Sequence, residues 1–84
     1  MEIAEKKELR TLKLKELYEW NDKHGGREAN IRFTDLRTNE DEKQEHLAYE
    51  YLADKGLINY KILGNNYYMA KITSYGIDYV ENEI

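Results

Sequence analysis

One glycine restricts this chain more than any other residue. Gly56 closes a long run of helix-forming residues, Asn39–Lys55, and two alternating runs follow it at once. Glycine reaches the left-handed backbone region without a Cβ clash, so its place after such a run reads as a helix stop. Leu57 is then placed to fold back on the last turn, as in a Schellman ending. Ile58, Tyr60 and Ile62 alternate with Asn59, Lys61 and Leu63, and Tyr68, Ala70 and Ile72 alternate with Tyr67, Met69 and Lys71. A period of two predicts strands, and the intervening Gly64-Asn65-Asn66 suits a tight hairpin turn, because Gly and Asn accept positive φ. Thr73 or Ser74 then caps a last helix in which Ile77, Val80 and Ile84 recur at helical spacing. The chain must therefore run from a helix straight into a β-hairpin and out into another helix.

The helix before Gly56 starts at Asn39, with Glu42 three residues on in a close variant of the capping box. Glu40, Asp41 and Glu42 fill its first turn, where the helix dipole favours negative charge. Ala48, Tyr51 and Leu52 share one face, flanked by Tyr49. The corresponding positions in the first turns are Asp41, Gln44 and Glu45. With so little to bury, the N-terminal half of this helix is expected to project beyond the core. Lys43, His46, Leu47, Glu50 and Asp54 fall on the outward face, which places the His46 ring in solvent.

Upstream, residues 3–23 form a helix rich in Glu, Lys and Leu, ended by Gly25-Gly26. Its apolar residues occupy two adjacent sides, Leu14, Leu17 and Tyr18 on one, Leu9, Leu12 and Trp20 on the other. Such a helix is either wrapped by its own domain or covered by a second copy. Ile31-Arg32-Phe33 alternates as a short strand, and Thr34 or Asp35 caps a brief turn around Leu36. A further helix before Asn39 is reduced to one turn or nearly absent.

With 84 residues the chain is one domain, 1–84, with residues 1–11 an N-terminal extension of the first helix. No apolar run approaches the roughly 20 residues of a membrane span. The first residues are charged where a secretory signal would be apolar, and cysteine is absent. These features predict a cytoplasmic protein that does not engage a membrane. Ser74, the only serine, sits at a helix cap, and His24 and His46 have no spaced ligand partners. No catalytic, metal or cofactor site is expected, so the chain is not read as an enzyme. Eight tyrosines, seven of them beyond residue 48, are many for this size. Adjacent Tyr67 and Tyr68 cannot both point inward from a strand.

The passages Tyr51-Leu52-Ala53-Asp54-Lys55-Gly56-Leu57-Ile58 and Ile72-Thr73-Ser74-Tyr75-Gly76-Ile77-Asp78-Tyr79-Val80 resemble the winged helix-turn-helix superfamily over roughly residues 12–80. That resemblance implies an α+β fold of three helices with a small two- or three-stranded antiparallel sheet. It implies a small DNA-binding transcriptional regulator, with the helix Asn39–Lys55 in the major groove and the hairpin tip Gly64–Asn66 on the adjacent backbone or minor groove. The residues placed to meet duplex DNA are Arg32, Arg37, Lys43, Gln44, His46, Lys61, Asn65, Asn66 and Lys71. Charge opposes this. Residues 40–56 hold six acids against Lys43 and Lys55, and the tip has no Lys or Arg. Phosphate neutralisation supplies most sequence-independent affinity for DNA, so an acidic docking helix is a physical objection. The alternative is a protein-interaction module on the same fold that does not bind DNA. Separately, a homodimer is expected, with Leu9, Leu12, Trp20, Tyr67 and Tyr68 as the candidate dimer or partner surface.

Overall fold

The computed structural model describes the whole chain, Met1–Ile84. Its elements are α1 (Ile3–Lys23), β1 (Ala29–Arg32), α2 (Glu40–Asp54), β2 (Ile58–Gly64), β3 (Tyr67–Ile72) and α3 (Ser74–Glu83). The sheet has the order β1-β3-β2, and both pairings are antiparallel. Three helices and a three-stranded antiparallel sheet make an α+β layout consistent with a winged-helix fold.

The glycine stop forms as the sequence requires. Gly56 has φ 77°. The Leu57 amide donates to the Leu52 carbonyl at 3.0 Å and the Gly56 amide to that of Ala53 at 2.9 Å, which satisfies two carbonyls at the end of α2. At the other end, the Asn39 side chain accepts from the Glu42 amide at 3.1 Å. Thr73 caps α3 and also ties it to that glycine. Its hydroxyl accepts from the Gly76 amide at 3.2 Å and donates to the Gly56 carbonyl at 2.6 Å.

Between β1 and α2 the chain makes only one turn. Residues 36–38 are a turn, and the Asn39 amide donates to the Asp35 carbonyl at 3.0 Å. The second helix of a helix-turn-helix is therefore nearly absent, as the spacing predicts. The first strand differs from expectation. It covers Ala29–Arg32 and leaves out Phe33. The reason is that Arg32 pairs with Tyr67, the first residue of β3, so the ladder has no partner beyond it. Phe33 turns into the core instead, and its amide donates to the Asn66 carbonyl at 2.8 Å. In the hairpin turn Asn66 takes the positive φ, 57°, while Gly64 stays in the strand beside a bulge.

The core lies between the helices and one face of the sheet. Leu14 and Leu17 of α1 meet Tyr49 and Leu52 of α2, over Ala29, Ile58, Ala70 and Ile72 of the strands, with Phe33 beside them. The side of α1 formed by Leu14, Leu17 and Tyr18 is thus the core side. Leu12 stays exposed, and Trp20 is 38% exposed with its indole N–H donating to the Arg27 carbonyl at 3.1 Å.

Candidate interaction surface

The N-terminal half of α2 is held down, contrary to the expectation that it projects. Glu42 does this first. Its carboxylate accepts from the Thr34 amide at 2.7 Å and the Asp35 amide at 2.9 Å. It thereby fastens α2 to the turn that stands in place of the missing helix. His46 does it second. Its Nδ1 lies 2.9 Å from the Tyr60 hydroxyl, and its ring lies among those of Phe33, Tyr60 and Tyr68. Tyr60 in turn stacks on Tyr68 with centroids 4.8 Å apart and on Tyr49 at 5.2 Å. The expectation of a solvated His46 is therefore corrected. Strand alternation aims Tyr60 and Tyr68 at α2, and an aromatic floor pulls the imidazole inward.

This arrangement sets a pH dependence. The Asp35 and Thr34 amides hold the Glu42 carboxyl below its ordinary value. The Arg37 amide and the Thr38 hydroxyl do the same for Asp35. Groups depressed on folding stabilise the protein above their unfolded pKa and lose that contribution as pH falls through the folded one. The thermal midpoint should therefore drop on acidification below about pH 4, the ordinary carboxylate range. Glu42→Gln should be less stable than the parent at neutral pH, with the gap closing in acid. Parallel midpoint-against-pH curves for the two proteins would overturn this role for Glu42.

The residues chosen for DNA contact do not come together on α2. Lys43 pairs with Glu40 at 3.5 Å, Gln44 donates to the same carboxylate at 3.4 Å, and His46 Nε2 lies 3.4 Å from Glu50. Asn66 is used internally, donating to the Thr34 carbonyl at 3.4 Å. Asn65 is exposed at the tip and Arg37 in the turn. Arg32, Lys61 and Lys71 do gather, on the sheet face opposite the core. There Arg32 lies over the Tyr67 ring at 4.5 Å, and Lys61 meets Glu28 at 3.9 Å. Tyr67 therefore faces out and Tyr68 in, as alternation requires, and Tyr68 is packing rather than a free interface residue.

What α2 exposes is apolar and acidic, and what the hairpin tip exposes is apolar and uncharged. Leu47 is 54% exposed, Ile62 67% and Leu63 50%. Glu40, Asp41, Glu50 and Asp54 stand around Leu47 on the exposed positions of α2. Leu47 was legible as outward-facing. Ile62 was not, because alternation places it on the inner face beside Tyr60, and the core ends before reaching it.

A groove of about 470 Å³ runs where α1, α2 and α3 converge. Leu14, Leu52 and Leu57 form its floor, Tyr51 and Tyr79 its walls, and Lys7, Arg10, Thr11 and Lys55 its rim. The Arg10 guanidinium lies 3.9 Å from the Tyr51 ring centroid. Sequence reading missed these cations, since only the tertiary approach of three helices brings residues 7, 10 and 55 together.

The class defined is thus a small α+β domain of three helices and a three-stranded antiparallel sheet, a layout consistent with a winged helix, whose α2 face is acidic and apolar. Comparison with known proteins adds no narrower identity: no family model, curated protein or solved structure matches this chain.

Proposed function

We propose that this chain is a winged-helix protein-interaction module, a binding domain without catalysis. One observation carries the reading. The surface that a winged-helix regulator would turn to DNA, the outer side of α2 with the hairpin tip, offers Leu47 among the carboxylates of α2 and Ile62 and Leu63 at a tip without Lys or Arg. Lys43, its single cation near the start of α2, is already paired. Duplex DNA is repelled by such a surface, whereas exposed apolar residues rimmed by charge suit a protein partner. A second copy is one candidate partner, since Leu12 and Trp20 are also exposed, on α1.

DNA binding by a transcriptional regulator is the second reading. It is favoured by Arg32, Lys61 and Lys71 on the outer sheet face, with Glu28 the acid beside them. A titration of labelled protein with random duplex at low salt separates the two. The interaction reading expects α2 amides to stay still, and Leu47→Glu with Ile62→Glu to abolish capture of a partner that the parent retains. Salt-sensitive shifts at Arg32, Lys61 and Lys71, or at Lys43–Leu47 and Gly64–Asn66, would overturn it in favour of DNA.

A further inference from the structure

We infer that the groove between α1, α2 and α3 is a docking site for an acidic amphipathic segment of a protein partner. The inference rests on the interaction reading and adds a site and a ligand chemistry to it.

Charge is the first argument. The chain carries a net −4, yet the groove is lined by Lys7, Arg10 and Lys55 with no carboxylate among its residues. None of the three has a carboxylate within ion-pair distance, as is true of most cations of the chain, so what sets the groove apart is three of them around one apolar floor with no acid in the lining. Lys55 has a structural reason to follow the C-terminus of α2, where the dipole favours positive charge. Arg10 packs on the Tyr51 ring, and Lys7, one turn before it on α1, has no such structural partner.

Shape is the second argument. The 470 Å³ volume falls within the roughly 300–1,000 Å³ of ligand-sized clefts. Its floor is apolar and its rim cationic, so it favours a ligand with apolar side chains on one edge and carboxylates on the other. An acidic amphipathic helix presents both at i, i+3 and i+4 spacing. Arg10 packed on Tyr51 is pre-oriented, which lowers the entropy lost on pairing with a carboxylate.

The test is a chemical-shift titration of the full chain with a short synthetic amphipathic peptide built from Glu, Leu and Phe. A control peptide carries Lys in place of every Glu. Shifts are expected at Lys7, Arg10, Tyr51, Lys55 and Tyr79, weakening with salt, and none with the control. Lys7→Glu with Lys55→Glu changes two exposed side chains. It should weaken binding by roughly tenfold, on the scale of two solvent-exposed ion pairs, while Lys7→Arg with Lys55→Arg retains it. Equal binding of the control peptide overturns the proposal. So does a response to a simple aromatic carboxylate as strong as that to the peptide. Shifts confined to Leu47, Ile62 and Leu63 overturn the groove and leave the interaction reading standing. Silence toward the peptide, with DNA shifting α2, overturns both.

Discussion

Replacing Gly76 with alanine should destabilise the protein by about 3 kcal/mol, at the upper end of the overpacking range. Helix propensity taken alone gives the opposite sign, since alanine is favoured over glycine inside a helix by about 1 kcal/mol. Packing decides. A Cβ at Gly76 would collide with the Leu57 carbonyl oxygen and stand 2.6 Å from Ile72 Cγ1. Neither neighbour can yield cheaply. The Leu57 carbonyl accepts the Thr73 amide at 3.0 Å, and Thr73 also bonds the Gly56 carbonyl at 2.6 Å. Ile72 is 2% exposed, inside the core. Relief requires α3 to lift away, which gives up hydrogen bonds worth about 1 kcal/mol each. A domain of this size has roughly 4–13 kcal/mol in total, so the denaturant midpoint should fall far below that of the parent. Because α3 carries Tyr79, peptide affinity at the groove should fall as well. A midpoint raised by alanine would show that α3 does not close on the Gly56–Leu57 stop.

Leu14→Ala should cost about 3 kcal/mol, within the 2–5 kcal/mol of buried leucine truncations. Leu14 is 1% exposed and lies where α1 crosses α2 and the sheet. Truncation removes apolar area from water-free contact and leaves a void against side chains that are already in place. It also deepens the groove whose floor Leu14 forms, so loss of stability should come with altered peptide affinity. Leu12→Ala is the control. Leu12 is 51% exposed on the same helix, and its replacement should change stability by less than about 0.5 kcal/mol. Chemical denaturation of the two variants separates the core side of α1 from its outer side, and equal effects would refute that division.

Local chemistry made most of the fold legible. Asn39 and the Thr73-Ser74 pair announced two helix starts, Gly56 a stop, and alternation from Ile58 to Ile72 a hairpin, because caps, positive φ and a period of two are written within a few residues. The site was less legible. His46 read as solvated because helical periodicity describes only its own helix. Its placement follows from Tyr60 and Tyr68, which reach it across the sheet. Glu42 read as a dipole partner, and it is also the anchor of the Thr34–Asp35 turn.

By itself the sequence determined an α+β domain that runs from an acidic helix into a hairpin, and it located the charge. It could do so because each of those properties depends on neighbours along the chain. Only the tertiary structure decided which charges are spent and which are free. Lys43 pairs with Glu40 one turn away on its own helix. Lys7, Arg10 and Lys55 meet around one groove without an acid among them. Electrostatic partners are chosen by distance in space, and that distance is set by the packing of α1, α2 and α3 over Leu14, Leu52 and Leu57.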